Sequence, residues 1–321
     1  MVPVASPNKS LLYPIKCFFI CFLYVASCWG RPKSTNELSN RPDGQYKNIS
    51  LGHVVKVYQC GDDAFFVKAI APSACHTNEC TIDVAVAGKS KDGSGYKNIL
   101  TGQCGDHSLL IQSIGGRFDQ KVTFGVADGV GQWGNIAGVY ASALINNIAS
   151  SSAGSALEMI QDGYHKTDKV ATTTICVATI DQGYLTWANL GDSGLRVVRN
   201  GKFEVKTKEQ QHTFNCPYQL GKGSINGPGD CDCAKCPLAK RDVVVMGTDG
   251  LFDNLDHAEL INLINPDNAA EEIANKVVKR AIENSKDATK TSPFACKASA
   301  VGYAYTGGKI DDISIVVAVV R

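Results

Sequence analysis

Short apolar runs rich in β-branched and aromatic residues, each bounded by Gly, Asn or Asp, recur along the chain. They cover residues 84–87, 108–114, 121–127, 173–180, 184–188, 195–199, 242–246 and 313–320, and each predicts a strand. Asn200-Gly201, between two apolar runs, predicts a two-residue hairpin turn. Elsewhere the spacing changes to that of a helix: Ala141, Leu144, Ile145 and Ile148 share one face, as do Ile273, Val277, Val278 and Ala281. Asn268, with Glu271 three residues on, predicts a capping box at the start of the second helix. Runs of strands with helices between hairpins predict an α+β fold of antiparallel sheets covered by helices, with a doubly wound parallel sheet as the alternative. Residues 59–67 echo residues 103–111, so a duplicated hairpin and a chance likeness of two turn-strand segments both remain open.

The first thirty residues stand apart. Lys9 and Lys16 precede an uncharged run ending at Gly30, and no acidic residue occurs before Glu37. A basic start, an apolar stretch and small residues at its end predict a signal peptide over 1–30, hence entry into the secretory pathway or secretion. An uncleaved membrane anchor, organelle targeting and a buried N-terminal helix are the alternatives. Residues 31–50 are polar and read as a linker, leaving 51–321 as one catalytic-sized domain.

Composition adds limits. The chain has 321 residues, 44% of them hydrophobic, which supplies ample core, and a net charge of +1. No basic stripe or tail stands out, so a bulk nucleic-acid binder is excluded. Of thirteen cysteines, Cys17, Cys21 and Cys28 fall in the leader, leaving an even number compatible with disulfides. Cys231, Cys233 and Cys236 sit in one short segment that lacks paired Cys-x₂-Cys units, so disulfides, with Cys216 as a candidate partner, are expected there rather than zinc. Asn48-Ile49-Ser50 would accept a glycan on a secretory route. No sign of oligomerisation is present, and a monomer is expected.

The candidate chemistry lies in aspartates at strand ends. One strand runs into Asp128-Gly129, another into Asp249-Gly250, and Asp311-Asp312 leads into the last. A carboxylate at a strand end is held rigidly, and a following glycine lets a backbone carbonyl approach a cation. Oxygen-only donors of this kind suit Mg²⁺ or Mn²⁺. Any single Asp-Gly after a strand is more simply a turn.

The wording around these aspartates is more specific. FGVADGVG at 124–131, NLGDSG at 189–194, TDGLFDN at 248–254 and GKIDDIS at 308–314 resemble, in order, the signature segments of the metal-dependent (PPM, type 2C) protein serine/threonine phosphatases. EQQH at 209–212, FN at 214–215, PYQL at 217–220 and SPFA at 292–295 resemble the short branch of that family related to mitochondrial-type enzymes. The resemblance implies two stacked antiparallel sheets flanked by helices, with a variable flap and a cleft holding two Mg²⁺ or Mn²⁺ ions. It implies that Asp128 bridges the ions, that the Gly129 carbonyl binds one, and that Asp249 and Asp311 complete the other site. Asp192 would help hold a weaker third ion, and Thr173 and Thr174 are structural. The implied activity is hydrolysis of phosphoserine and phosphothreonine in phosphoprotein substrates by a metal-activated water. Membrane contact is implied only if the leader is uncleaved.

The sequence departs from the family pattern in three places. The acidic pair of the second metal maps best onto Asp106-His107. Asp62-Asp63 has the closer wording but requires a long insertion before Asp128. Val130 stands where many members carry a histidine, and His212 is a candidate acid with a structural role as the plainer reading. Lys89 and Lys91 occupy the stretch expected to carry a phosphate-capturing base and read as solvated loop lysines. The altered pair motivates a competing reading, a pseudophosphatase acting as a binding module. Hydrolysis of another phosphate ester is a third.

Overall fold

In the computed structural model of the protein, residues 53–70, 81–93, 96–98, 104–105, 110–117 and 121–321 are described. The leader and linker lie outside them, as do Asp106 and His107. The chain opens with a hairpin of β1 (His53–Cys60) and β2 (Asp63–Ile70). There follow β3 (Thr81–Lys89), β4 (Tyr96–Asn98), β5 (Cys104–Gly105), β6 (Leu110–Arg117) and β7 (Val122–Asp128). Helices α1 (Ile136–Ala149) and α2 (Ala156–Lys166) come next. The central part holds β8 (Ile175–Asp181), β9 (Tyr184–Leu190), β10 (Gly194–Arg199), β11 (Lys202–Lys206), β12 (Gln211–Thr213), β13 (Cys216–Pro217), β14 (Asp232–Pro237) and β15 (Val243–Gly247). Helices α3 (Asp249–Phe252), α4 (His257–Leu263), α5 (Ala270–Lys286) and α6 (Pro293–Ala300) precede the last strand, β16 (Ile313–Val320).

Two antiparallel sheets stack face to face, in the orders β14-β9-β8-β7-β2-β1-β4-β5 and β11-β10-β15-β16-β3-β6. Phe65, Phe124 and Val126 of the first meet Val84, Met246 and Val316 of the second in the layer between them. α1 and α2 cover the outer face of the first sheet with Leu144, Ile148 and Ile160, and α5 covers the second with Ile273, Val277 and Val278. β16 shows why its sequence is a continuous apolar run rather than an alternating one. Its odd positions face the helix layer and its even positions face the sandwich, so both sides are buried.

The expected α+β sandwich is therefore present, as are the two helical faces and the Asn200-Gly201 turn, whose residues both take positive φ (51° and 71°). One expectation differs and one open alternative is decided. α5 is capped at Ala269 without a side-chain bond, and Asn268 Nδ2 instead donates to Glu272 Oε1 at 2.8 Å. The reciprocal capping box belongs to α2, where Ser155 and Glu158 exchange bonds. The echoed segments are not duplicated hairpins: β1 and β2 pair with each other, whereas β5 joins the first sheet and β6 the second.

The long segment between β2 and β7 supplies β3 and β6 to the second sheet and β4 and β5 to the edge of the first, and β7 then pairs directly with β2. Among the described residues no helix is long and apolar enough to cross a membrane.

Candidate metal centre

The start of β2, the end of β7, the end of β15 and the start of β16 converge at one edge of the sandwich. Asp63 and Asp128 are register partners across β2 and β7. The backbone of Asp128 is clamped by β8 and the turn before it. Its carbonyl accepts the Thr173 hydroxyl (2.7 Å) and the Thr174 N–H (2.9 Å), and its own N–H donates to Thr174 Oγ1 at 3.3 Å. Thr173 and Thr174 are buried and structural, as expected. Gly129 follows without room for a side chain: a Cβ there would lie 2.6 Å from the Ala137 carbonyl carbon and 2.8 Å from the Asp62 oxygen.

Thr248 ties three strand ends together. Its hydroxyl donates to Asp63 Oδ2 at 2.9 Å and accepts the Ser314 N–H at 3.1 Å. Asp63 Oδ1 and Asp249 Oδ1 are buried without a hydrogen-bond partner. Burial pushes the Asp63 carboxyl well up, and the Asp312 charge adds to it while the Thr248 hydroxyl opposes. Asp128 is likewise pushed well up, by burial first and then by the charges of Asp249, Asp63 and Asp311. So many acids held together in low dielectric repel one another unless a cation enters.

Asp312 faces the β1–β2 turn. Its Oδ2 accepts the Asp62 N–H at 2.9 Å, and its Oδ1 accepts the Lys91 N–H at 2.7 Å. Gly61, at φ 60°, packs so tightly here that a Cβ would fall 2.2 Å from Asp312 Oδ1. Lys91, read from sequence as solvated, instead lies 3.3 Å from Asp62, 3.5 Å from Asp311 and 3.3 Å from Asp312. Its side chain keeps 39% of its surface exposed, so it forms the rim of the site.

Behind this front lies a second set of charges. Lys309 Nζ bonds to Asp249 Oδ2, lies 3.0 Å from Asp253 Oδ2 and lies 2.9 Å from Asp311 Oδ2. Lys297, on α6, bonds to Asp253 Oδ1 at 3.0 Å and to both oxygens of Glu209 at 2.9 and 2.8 Å. Burial alone raises the Asp311 carboxyl, but Lys309 and Lys91 overcome it and hold Asp311 below its ordinary value. Asp192, in the middle of the β9–β10 turn, is buried and its carboxylate accepts from Gln211 Nε2 at 3.0 Å. Burial and the Asp249 charge push it up to about 8.

Asp128, Gly129, Asp249, Asp311 and Asp192 thus come to one region, and Asp62-Asp63 comes with them, whereas Asp106 lies outside the described residues. Sequence reasoning gave no role to Asp312, Asp253, Lys309 or Lys297; the first two follow named motif aspartates, and a lysine two residues before Asp311 was the one visible hint of Lys309. His212 stacks on Tyr218 with centroids 4.3 Å apart, and its Nε2 lies 2.9 Å from Asn226 Oδ1, as its structural reading requires. Cys231, Cys233 and Cys236 are free thiols, so the disulfides expected there are not formed. Nor do they converge on a metal: Cys231 packs under the helix layer and Cys236 against the inter-sheet core, on opposite faces of the sheet edge that β14 forms.

The donors present suit hard divalent cations: buried carboxylates with orphaned oxygens and no sulfur or imidazole among them. As the side chains stand, no three acidic, imidazole or thiol groups among the described residues close on one point in coordinating geometry. The point between Asp249, Asp253 and Asp311 holds the Lys309 ammonium instead.

Comparison with known proteins bears on this arrangement. A family profile described as Stage II sporulation protein E (SpoIIE) matches residues 119–320. The chain is 34% identical over 271 residues to "Protein phosphatase PTC7 homolog fig" of Drosophila grimshawi, covering 74% of this chain and 85% of that protein. It is 34% identical over 221 residues to "Probable protein phosphatase 2C 80" of Arabidopsis thaliana, covering 63% of this chain and 52% of the relative, so this match spans about half the relative's length. The X-ray structure of the photosystem II phosphatase PBCP superposes with a TM-score of 0.59 at 28% identity, over 62% of this chain and 87% of that one. With the sandwich, the acidic strand ends and the motif order all agreeing, the chain belongs to the PPM (type 2C) family of protein serine/threonine phosphatases.

Proposed function

We propose that the protein hydrolyses phosphoserine and phosphothreonine esters in phosphoprotein substrates, using Asp63, Asp128, the Gly129 carbonyl, Asp249 and Asp311 to hold divalent cations. The observation that carries this reading is the meeting of four carboxylates at neighbouring strand ends, Asp63 and Asp249 buried with an unpartnered oxygen each and Asp128 and Asp311 half-buried. Two Mg²⁺ or Mn²⁺ ions held there would lower the pKa of a water and polarise the phosphoryl oxygens.

The chain's own residues set the rest. The Asp63 carboxylate is held by Thr248 and the Asp128 backbone by strand pairing, Thr173 and Thr174, so little conformational freedom is lost on binding. Lys91, exposed at the rim beside Asp62 and Asp311, attracts the dianionic ester and steers it inward. Asp63 takes the second-metal role for which Asp106 was the first candidate, because it faces Asp128 across the ladder. This leaves both acids of the Asp62-Asp63 pair intact and removes the motive for a pseudophosphatase. A monomer, and a leader directing the chain to the secretory pathway, complete the reading.

The test is phosphate release from a phosphothreonine peptide by residues 51–321 with added Mn²⁺. Turnover that chelator abolishes is expected, with loss in Asp128→Asn and Asp249→Asn. A folded protein that binds no Mn²⁺ and releases no phosphate sinks the proposal.

A further inference from the structure

Lys309 is unusually constrained for a surface-loop lysine. Its backbone is locked to Asn254 on both sides, N–H to Oδ1 at 2.9 Å and carbonyl to Nδ2 at 2.8 Å. Its ammonium lies 5.2 Å from the Phe294 ring centre, which flanks it. It has three N–H donors and faces three carboxylates contributed by two segments, Asp249 and Asp253 around α3 and Asp311 before β16. Asp253 is shared with Lys297, which in turn engages Glu209, so acids and ammoniums alternate from the loop after β11 to the metal-facing edge.

The oxygens divide the work. Asp249 gives Oδ2 to Lys309 and leaves Oδ1 unpartnered, available to a cation on its other side. Asp253 gives one oxygen to each lysine. Asp192 is engaged by Gln211 and shares this neighbourhood of charge with Asp249 and Asp253. A divalent ion entering beside Asp253 would meet a desolvated ammonium at contact distance, and like charges so placed repel strongly.

We propose that Lys309, backed by Lys297, is a resident counter-cation that fills the place beside Asp192, Asp249 and Asp253. The chain then takes up two divalent ions rather than three, and its acidic site stays folded when both are removed. This rests on the reading above, that Asp63, Asp128, Asp249 and Asp311 hold cations. It departs from the family expectation of a weaker third ion near Asp192.

The experiment counts Mn²⁺ bound per chain by native mass spectrometry across a titration, in the full chain and in Lys309→Met and Lys309→Arg, with melting followed in chelator. Two ions are expected in the wild type. Lys309→Met should admit a third, or bind its weakest ion about tenfold tighter, and should melt earlier in chelator while Lys309→Arg keeps the wild-type melting. Three ions in the wild type overturn the inference, whether or not the Met variant folds. Equal counts and equal melting in wild type and Lys309→Met overturn it as well. A wild type that binds no Mn²⁺ instead overturns the functional reading, and this inference with it.

Discussion

Asp63 and Asp128 stand opposite one another in the β2–β7 ladder, although 64 other residues separate them in the chain. Backbone pairing sets how close their Cα atoms come, so the two residues stay neighbours as long as the strand pair holds. Mutual repulsion is then relieved by a cation or by protons.

The pairing distinguishes the two candidate acidic pairs. Asp63→Asn is expected to weaken Mn²⁺ binding and lower kcat/KM by about a hundredfold, an interaction loss of about 2.7 kcal/mol in the transition state. Asp106→Asn should leave both unchanged. Mn²⁺ titration and phosphopeptide hydrolysis on the two variants check this, and the reverse pattern would return the role to Asp106.

Asp312 works through the turn it anchors. Asp312→Ala leaves the N–H groups of Asp62 and Lys91 without their acceptor, which costs about 1–3 kcal/mol for each group that water does not reach. Lower urea resistance and weaker Mn²⁺ binding are expected together. A variant with wild-type stability would show that the turn holds without it.

Backbone closeness makes Gly250 intolerant of a side chain. A Cβ there would lie 2.0 Å from the Asp312 carbonyl oxygen, an atom in the strand entry itself. Gly250→Ala should destabilise by about 1–3 kcal/mol, the usual cost of overpacking, and calorimetry reads it directly.

Lys91→Ala is expected to raise KM for a phosphothreonine peptide several-fold while altering kcat little, because Lys91 acts at the rim on encounter. Rising salt should shrink the difference between the variant and wild type.

The metal-free protein should lose stability as pH rises. Asp192 is pushed up to about 8, and Asp63 and Asp128 shift in the same direction. A carboxyl whose folded pKa lies above its unfolded value of about 4 stabilises the fold only while protonated there. That contribution is complete below about pH 4 and fades as pH climbs towards 8. Melting in chelator should therefore occur at higher temperature at pH 6 than at pH 8, and saturating Mn²⁺ should remove the difference by replacing protons as the counter-charge.

Much was legible in the primary order because it is local. Short apolar runs rich in β-branched residues placed most of the sandwich strands, period-3.6 faces placed α1 and α5, and the Asp-Gly segments at 128 and 249 and the Asp pair at 311–312 marked the strand ends that meet. Local signals also misled. Asn268 and Glu271 have the spacing of a capping box, yet α5 starts at Ala270 with Ala269 as its cap, and Asn268 turns to Glu272. Which acidic pair faces Asp128 was beyond local reading, since a detour of the chain into the second sheet leaves β2 beside β7 however long it is. The same holds for Lys91 and Lys309 in loops and for Lys297 on α6: a lysine looks solvated until the strands and helices around it are assembled. Sequence periodicity determines which way each residue points along its own element. Only the closed sandwich decides which charges are buried together, because their desolvation and mutual repulsion arise from contacts between segments far apart in the chain.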